Sequence, residues 1–244
     1  MIRIRFMVLF VMVAQISLAN ATELGCAAQS HDKNDYVVCR VDPKKAEIRL
    51  FHSDQNGKPY GHFGVLNETL EKRGERLVFA MNAGMYHDDR APVGLFVEGG
   101  KTTAPLNTND GPGNFHMKPN GVFAITGNVA SVSVTEKAPT APDYATQSGP
   151  MLLMDDEIHP RFLPKSTSLK RRNGVGVTKT GEVVFVLADT PVRFYDFSVF
   201  FRDVLKTPNA LYLDGTISRI YAPELGRNDP GVAMGLIIGV VTAN

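Results

Sequence analysis

A chain of 244 residues with 43% hydrophobic residues is long enough to bury one sizeable core, and it does not require a second domain. Its 26 lysines and arginines nearly balance its 25 aspartates and glutamates, so no overall charge is available to attract nucleic acid or an anionic membrane. Any charged ligand must therefore bind at a local site, and we expect no nucleic-acid partner.

The first 21 residues have the pattern of a secretory signal peptide. Two arginines precede an apolar run at residues 6–14, and Ala19 and Ala21 form a small-residue cleavage site. An uncleaved anchor is the competing interpretation, but the run is shorter than the ~20 residues that a spanning helix needs. We predict a signal peptide at residues 1–21, one domain at residues 22–244, no stable membrane anchor after cleavage, and a periplasmic or secreted location.

Export gives the two cysteines a structural meaning. In an oxidising compartment Cys26 and Cys39 can pair and hold an N-terminal hairpin together, with free thiols as the alternative. A lipid-modified N-terminus at Cys26 is disfavoured, because Glu23 stands where that signal has an aliphatic residue. We predict a disulfide.

Short strands dominate the rest of the chain, beginning with a meander in which PKK is the turn between YVVCRVD and AEIRLFH. Apolar alternation and β-branched residues predict further strands at RLVFAMNAG, VGLFVEGGK, GVFAITGN, VASVSVTE, PMLLMDDEI, GVGVTKTG, EVVFVLAD and ALYLD, and a central one at GLIIGVV. One helix, NETLEKRGE, ends at Gly74. A second has an apolar stripe formed by Phe197, Phe200, Phe201, Val204 and Leu205. The predicted fold is a single α+β domain, a strand-rich mixed sheet core with a few helices.

Two of the predicted strands end on a carboxylate. Asp189 follows VVFVLA, and Asp214 follows ALYL. Catalytic groups are common at the carboxyl ends of buried strands, although an aspartate there also often caps a turn. Arg171 and Arg172 precede another strand, where a guanidinium suits phosphate or carboxylate, and a solvated basic turn that includes Lys170 is the alternative.

The sequence carries no pattern for a metal or a cofactor. The histidines show no paired spacing, and acidic surface turns explain HDD at residues 87–89 and DDE at residues 155–157 better than calcium sites do. A serine triad at Ser148 is also excluded, since QSGP lacks the G-x-S-x-G elbow. We predict neither a metal nor a cofactor.

Five strings taken in order resemble the phosphodiester glycosidase family: MNAGMY, KPNGVFAI, QSGPMLL, RNGVGVTKTGEVVFVLAD and NALYLDGTIS. They span roughly residues 36–241. The resemblance implies an exported hydrolase that cleaves the glycosidic bond of a sugar-1-phosphodiester, with a small-molecule or polymeric sugar phosphate as substrate. A non-catalytic exported glycan-binding protein of the same fold is the alternative.

The same resemblance assigns residues to the site. It implies catalytic roles for Asp214 as nucleophile or general base, Asp189 as its partner, and Arg172 as the group that stabilises phosphate charge. The substrate-binding set comprises Asn82, Gly84, Gln147, Ser148, Gly149, Asn173, Gly215 and Ser218. One departure stands out: Thr216 and Ile217 replace two glycines, so side chains occupy a loop where the family brings bare backbone near the ligand.

Overall fold

The computed structural model describes residues 24–215 and 217–244. The predicted signal peptide and Thr216 lie outside this described part. Among the residues that it covers, no helix combines the length and the apolar character needed to cross a membrane.

Strands are the dominant secondary structure of the described chain. In chain order they are β1 Leu24–His31, β2 Asn34–Val41, β3 Glu47–Phe51, β4 Glu75–Asn82, β5 Phe96–Glu98, β6 Lys101–Ala104, β7 Gly121–Thr126, β8 Val129–Val134, β9 Tyr144–Ser148, β10 Met151–Met154, β11 Glu157–Ile158, β12 Lys170–Val177, β13 Val183–Val192, β14 Asn209–Asp214, β15 Ile220–Ala222, β16 Arg227–Asn228 and β17 Ile237–Ala243. The helices are α1 Phe63–Glu71 and α2 Phe194–Val199, which continues as a π-helical turn, Phe200–Val204, and single 3-10 turns lie at Thr135–Lys137 and Pro223–Leu225.

These strands form three sheets. Sheet I has the order β1-β2-β13-β12-β14-β10-β11, sheet II the order β16-β15-β4-β17-β3, and sheet III the order β6-β5-β9-β7-β8. Neighbouring strands within the sheets pair antiparallel, so hairpins and crossovers connect them without parallel units. The predicted strand-rich α+β class is confirmed.

The main core lies where the inner faces of the three sheets meet. Phe185 of sheet I, Phe79 of sheet II and Phe123 of sheet III are all fully buried there, and the Phe185 ring contacts the other two. Each helix then covers an outer face: α1 packs on sheet II and α2 on sheet I. The strand segments at residues 183–188 of β13 and 210–213 of β14 are therefore buried on both faces, which explains why their sequences are continuous apolar runs.

The helix α2 packs closely on sheet I because β12 has glycines beneath it. A Cβ atom on Gly174 would lie 3.2 Å from the Phe197 ring. The apolar stripe of the predicted helix is mostly buried, but Val204 is 38% exposed. It ends the π-helical turn, whose wider winding changes which side chains face the sheet.

A disulfide joins the first hairpin. Cys26 and Cys39 are direct partners in the β1–β2 register, and their sulfur atoms are bonded at 2.01 Å. The predicted disulfide is confirmed, and it ties the edge strand β1 to the interior of sheet I.

Candidate active site

A cleft of about 320 Å³ opens on the α2 side of sheet I, where β14 ends beside the start of β12. Side chains two residues apart in a strand share a face, so Tyr212 and Asp214 of β14 both point to this side. The lining residues are Met85, Asn114, Ser168, Lys170, Arg172, Phe194, Tyr212, Asp214 and Gly215.

Asp214 is the carboxylate of the cleft. Its side chain is half-buried at the end of β14, and Oδ1 accepts a hydrogen bond from the backbone N–H of Gly215 at 2.6 Å. Burial raises the pKa of this carboxyl to about 6, against a smaller lowering by the Gly215 hydrogen bond. Asp214 therefore exchanges its proton close to neutral pH, which is the range that general acids and bases require.

Arg172 forms the floor of the cleft. It is only 1% exposed; Nε donates to the carbonyl of Val192 at 2.9 Å, and Nη2 donates to that of Ser168 at 3.3 Å. Burial lowers its pKa, but a guanidinium stays charged at any physiological pH. Among the ion pairs of the described residues none involves Arg172. A buried, fixed cation that lacks a carboxylate partner is suited to an anionic ligand.

Stacked rings hold this guanidinium in place. Its central carbon lies 3.5 Å from the centre of the Phe194 ring, which stacks on Phe162 at 4.6 Å, and Phe162 stacks on His159 at 4.7 Å. Cation–π contact and the two carbonyls together fix the plane of the guanidinium. The remaining N–H groups of Arg172 are thereby aimed in a constant direction.

A buried polar network supports Asp214 from behind. The side-chain oxygen of Asn173 accepts hydrogen bonds from the Asp214 backbone N–H at 2.8 Å, from Ser218 Oγ at 3.2 Å and from Asn82 Nδ2 at 3.3 Å. Asn173 Nδ2 donates to the Asn82 carbonyl at 2.8 Å, while Asn82 Oδ1 accepts from the Arg219 backbone. Asn173 lies on the inner face of sheet I, where it meets Asn82 at the end of β4 in sheet II and Ser218 of the loop that follows Asp214. None of these three predicted substrate-binding residues lines the cleft.

Gln147 and Ser148 also have internal partners. Gln147 Oε1 accepts from the backbone of Asn107 at 2.9 Å, and its Nε2 donates to the same residue's carbonyl at 2.7 Å. Ser148 Oγ donates to the carbonyl of Leu213, next to Asp214, at 2.8 Å. Both side chains therefore fix the segments that border the cleft and do not face it.

The three predicted glycines allow close backbone approaches. A Cβ atom on Gly84 would lie 2.5 Å from the Gln147 carbonyl oxygen, and one on Gly149 would lie 2.8 Å from that of Phe115. Gly215 is different, because it lines the cleft, and a Cβ there would meet the Tyr212 hydroxyl at 2.5 Å. Of the eight predicted substrate-binding residues, only Gly215 reaches the cleft.

Asp189 is not brought to the cleft. Val184, Val186 and Ala188 of β13 face α2, so the next residue, Asp189, points to the opposite side of sheet I. Its carboxylate pairs there with Arg171 at 2.9 Å and with Arg227 at 2.9 Å. The prediction that the strand ends on Asp189 is wrong, since β13 continues to Val192. The two ion pairs tie β13 to β12 and β16, and they give Asp189 a structural explanation that needs no substrate.

Sequence reasoning missed several lining residues. Lys170 and Tyr212 each lie two positions from a predicted catalytic residue on the same strand, and this spacing was a usable signal. Asn114 belongs to a polar, glycine-rich loop of the kind that often borders sites. Nothing in the sequence singles out Met85 or Phe194. Of the two residues that replace glycines, Thr216 lies outside the described part, and Ile217 is half-buried and not among the lining residues.

The cleft thus combines one half-buried carboxylate with two cations. Lys170 is exposed at its rim and Arg172 is buried in its floor. In the ranges 24–215 and 217–244, no group of three or more His, Cys, Asp or Glu side chains is placed to hold a metal ion. A ligand with an anionic group next to a reacting carbon fits this distribution of charge.

The sequence of this domain matches the phosphodiester glycosidase family. The family model covers residues 75–237, more than half of the chain, and the chain belongs to this family. A stretch of 183 residues is 37% identical to YigE of Escherichia coli strain K12, an uncharacterized protein, and this match covers 74% of the chain and 72% of YigE.

Solved structures share the fold. The catalytic domain of zebrafish N-acetylglucosamine-1-phosphodiester alpha-N-acetylglucosaminidase, auto-inhibited by its pro-peptide, has a TM-score of 0.61 at 15% identity, covering 89% of this chain and 81% of that one. A candidate exported protein of Burkholderia pseudomallei K96243 has a TM-score of 0.58 at 11% identity, covering 85% and 74%.

Proposed function

We propose that this protein is an exported hydrolase that cleaves the glycosidic bond of a sugar-1-phosphodiester, releasing the sugar and a phosphomonoester. One observation carries the proposal: Asp214 and Arg172 line the same cleft. The membership of the chain in the phosphodiester glycosidase family supports the reaction class.

Arg172 and Lys170 bind the phosphodiester in this proposal. A guanidinium held flat by the Phe194 ring presents its free N–H groups to two phosphate oxygens, and the flexible Lys170 adds a second positive charge at the rim. Because Arg172 is fixed before the ligand arrives, little reorganisation is needed when negative charge grows on the departing phosphate.

Asp214 acts at the anomeric carbon. In its ionised form it either attacks that carbon or takes a proton from the water that does so, while the electrons of the breaking carbon–oxygen bond move to the phosphate. The cleft has a single carboxylate among its lining residues, whereas ordinary glycosidases use two. A phosphate leaves more readily than an alcohol, so it does not require the second carboxyl as a strong acid.

An extracytoplasmic location fits the same proposal. The Cys26–Cys39 disulfide is typical of oxidising compartments, and one protein of the same fold is a candidate exported protein. We infer a periplasmic or secreted enzyme whose residues 1–21 are removed on export. Mass spectrometry of the mature N-terminus from a secretory host tests this, and a retained Met1 would contradict it.

The alternative function is sugar-phosphate binding without turnover. The observation that favours it is the single carboxylate of the cleft, since ordinary glycosidases use two. The two are separated by incubating the purified protein with a panel of sugar-1-phosphodiesters and following the reaction by phosphorus NMR. Conversion of a diester signal to a monoester signal, with release of free sugar, supports the enzyme. Saturable binding of a panel member with no monoester formed would instead establish the binding protein.

A further inference from the structure

A buried tyrosine lies in the cleft between its carboxylate and its buried cation. Tyr212 belongs to β14, is 2% exposed, and lines the cleft on the same face of the strand as Asp214. Its hydroxyl lies close to the backbone of the residue after Asp214, since a Cβ atom on Gly215 would lie 2.5 Å from the hydroxyl oxygen. In the proposed reaction this hydroxyl neither binds the phosphate nor attacks the sugar.

Two neighbouring side chains donate hydrogen bonds to the Tyr212 hydroxyl. They are Arg172, from the floor of the cleft, and Asn114, from the polar loop that borders it. A hydroxyl group has two lone pairs and one hydrogen, so two incoming hydrogen bonds leave that hydrogen as its remaining polar group. Within residues 24–215 and 217–244 no protein group accepts this hydrogen. It is therefore available to a ligand in the cleft.

Tyr212 keeps this hydrogen throughout the neutral pH range. Burial raises the pKa of the Tyr212 hydroxyl well above its usual range, and the charge of Asp214 raises this pKa further. The hydrogen bonds from Arg172 and Asn114 oppose the shift without cancelling it. The hydroxyl is therefore a hydrogen-bond donor and does not act as a base.

The ring of Tyr212 is fixed by its neighbours. Phe194 meets it edge-on with the ring centres 4.8 Å apart, and the central carbon of the Arg172 guanidinium lies 5.6 Å from the Tyr212 ring centre. The hydroxyl is thereby held between Arg172 on one side and the end of β14 on the other. In the proposed reaction Arg172 binds the phosphate and Asp214 acts at the anomeric carbon. The substrate atom between these two groups is the oxygen that bridges phosphorus and the anomeric carbon.

We propose that the Tyr212 hydroxyl is a catalytic hydrogen-bond donor to this bridging oxygen, aimed at it by Arg172 and Asn114. The proposal rests on the proposed function for the positions of the sugar and the phosphate. When the bond between the anomeric carbon and the bridging oxygen breaks, its electron pair stays on that oxygen, while Asp214 or water forms the new bond to carbon. Tyr212 keeps its proton and stabilises the charge that grows on the oxygen. It supplies part of the stabilisation that a second carboxyl supplies in ordinary glycosidases.

Tyr212→Phe removes the hydroxyl and keeps the ring. A hydrogen bond to developing charge acts on the transition state more than on the bound diester, so kcat is expected to fall about 10- to 100-fold while KM stays within about threefold. The substrate is a methyl sugar-1-phosphodiester that the wild type hydrolyses. An unchanged kcat, or a rise in KM alone, would overturn the proposal.

Tyr221→Phe is the matched control. Tyr221 of sheet II packs on Phe63 of α1 and does not line the cleft. Its variant is expected to keep the kcat and KM of the wild type. Equal losses of kcat in the two variants would contradict the role assigned to Tyr212.

Binding of two small phosphates tests the same hydroxyl without turnover. At pH 8 methyl phosphate carries a second charge on an oxygen equivalent to the released bridging oxygen, whereas in dimethyl phosphate that oxygen is esterified. Calorimetry is expected to show that Tyr212→Phe weakens the binding of methyl phosphate at least about tenfold and that of dimethyl phosphate by less than about threefold. Equal effects on the two ligands would overturn the proposal.

The two measurements separate this proposal from the proposed function. If the wild type hydrolyses no diester but the difference between the two phosphates is present, the proposed reaction fails and the hydroxyl stands as a donor to a charged phosphate oxygen. If diesters are hydrolysed but Tyr212→Phe changes neither kcat nor the binding of methyl phosphate, the role of Tyr212 fails and the proposed reaction stands.

Discussion

The side-chain oxygen of Asn173 lies 2.8 Å from the backbone nitrogen of Asp214 and accepts its hydrogen bond. The two residues are also register partners between β12 and β14. Asn173 is fully buried, so this contact fixes the backbone of Asp214 at the end of β14 and thereby the position of its carboxylate. It links the inner core of sheet I to the cleft on its outer face.

Asn173→Ala is expected to destabilise the protein by about 2–4 kcal/mol, because it leaves buried donors of Asp214, Ser218 and Asn82 without their common acceptor. Urea unfolding measures the change. Asn56→Ala, in an exposed turn, is the control and is expected to change the free energy of unfolding by less than about 0.5 kcal/mol. Similar values for the two variants would refute the supporting role of Asn173.

Asp214→Asn is expected to stabilise the fold at neutral pH. The pKa of Asp214 is raised from 3.8 to about 6 in the folded chain. Protonation of Asp214 therefore stabilises the fold, and this contribution to the free energy of unfolding is complete below pH 3.8 and is lost as pH rises through 6. Asparagine does not ionise and can still accept the Gly215 hydrogen bond. At neutral pH the free energy of unfolding of the variant should exceed that of the wild type by about 1–2 kcal/mol, and this difference should vanish near pH 4.

Thermal melts of Asp214→Asn and the wild type across this pH range give the measurement. Asp189→Asn is the matched control, since it removes a carboxylate that accepts ion pairs from Arg171 and Arg227 and should lower the melting temperature at neutral pH. A neutral-pH melting temperature of Asp214→Asn below that of the wild type would count against the burial of an unpaired carboxylate.

The pH dependence of kcat/KM should show a single acidic limb. If Asp214 must be ionised to react, activity falls about tenfold per pH unit below about 6 and is level above it. Initial rates on one phosphodiester across the range provide the profile. A rate that instead falls as pH rises through 6 would mean that Asp214 works in its protonated form, as a general acid.

Arg172→Lys and Arg171→Lys change neighbouring arginines on opposite faces of sheet I. Lysine lacks the planar fork, so Arg172→Lys is expected to lower kcat/KM by about 10²–10³ and to weaken phosphomonoester binding. Arg171 pairs with Asp189 away from the cleft, and its substitution should change kcat/KM by less than about threefold. Equal losses in the two variants, with both folded by circular dichroism, would remove Arg172 from the site.

The sequence predicts most of the strands but not their partners. The strands β2 and β3 were expected to begin a meander, yet β2 pairs within sheet I and β3 within sheet II. The short strand β9 follows a proline-rich loop and was not predicted. Pairing between strands distant in the chain depends on how the three sheets pack together, and local sequence patterns do not predict this packing.

The position of Asp189 shows why the site was only partly predictable. A strand buried on one face alternates apolar and polar residues, and the alternation shows which way a terminal aspartate points. Both faces of β13 are buried at residues 183–188, by α2 and by the main core, so this part of its sequence is apolar throughout and carries no such signal. The family resemblance indicated Asp214 and Arg172, which line the cleft, whereas Asp189 required the structure.

Two aspartate variants test the central claim most directly. The claim is that Asp214 alone, of the two aspartates that follow apolar strand segments, acts on the substrate. With a hydrolysed sugar-1-phosphodiester, Asp214→Asn is expected to lose at least about 10³-fold in kcat/KM, while Asp189→Asn stays within about threefold of the wild type at a temperature where both are folded. Undiminished hydrolysis by Asp214→Asn, or an equal loss in both variants, would contradict the account.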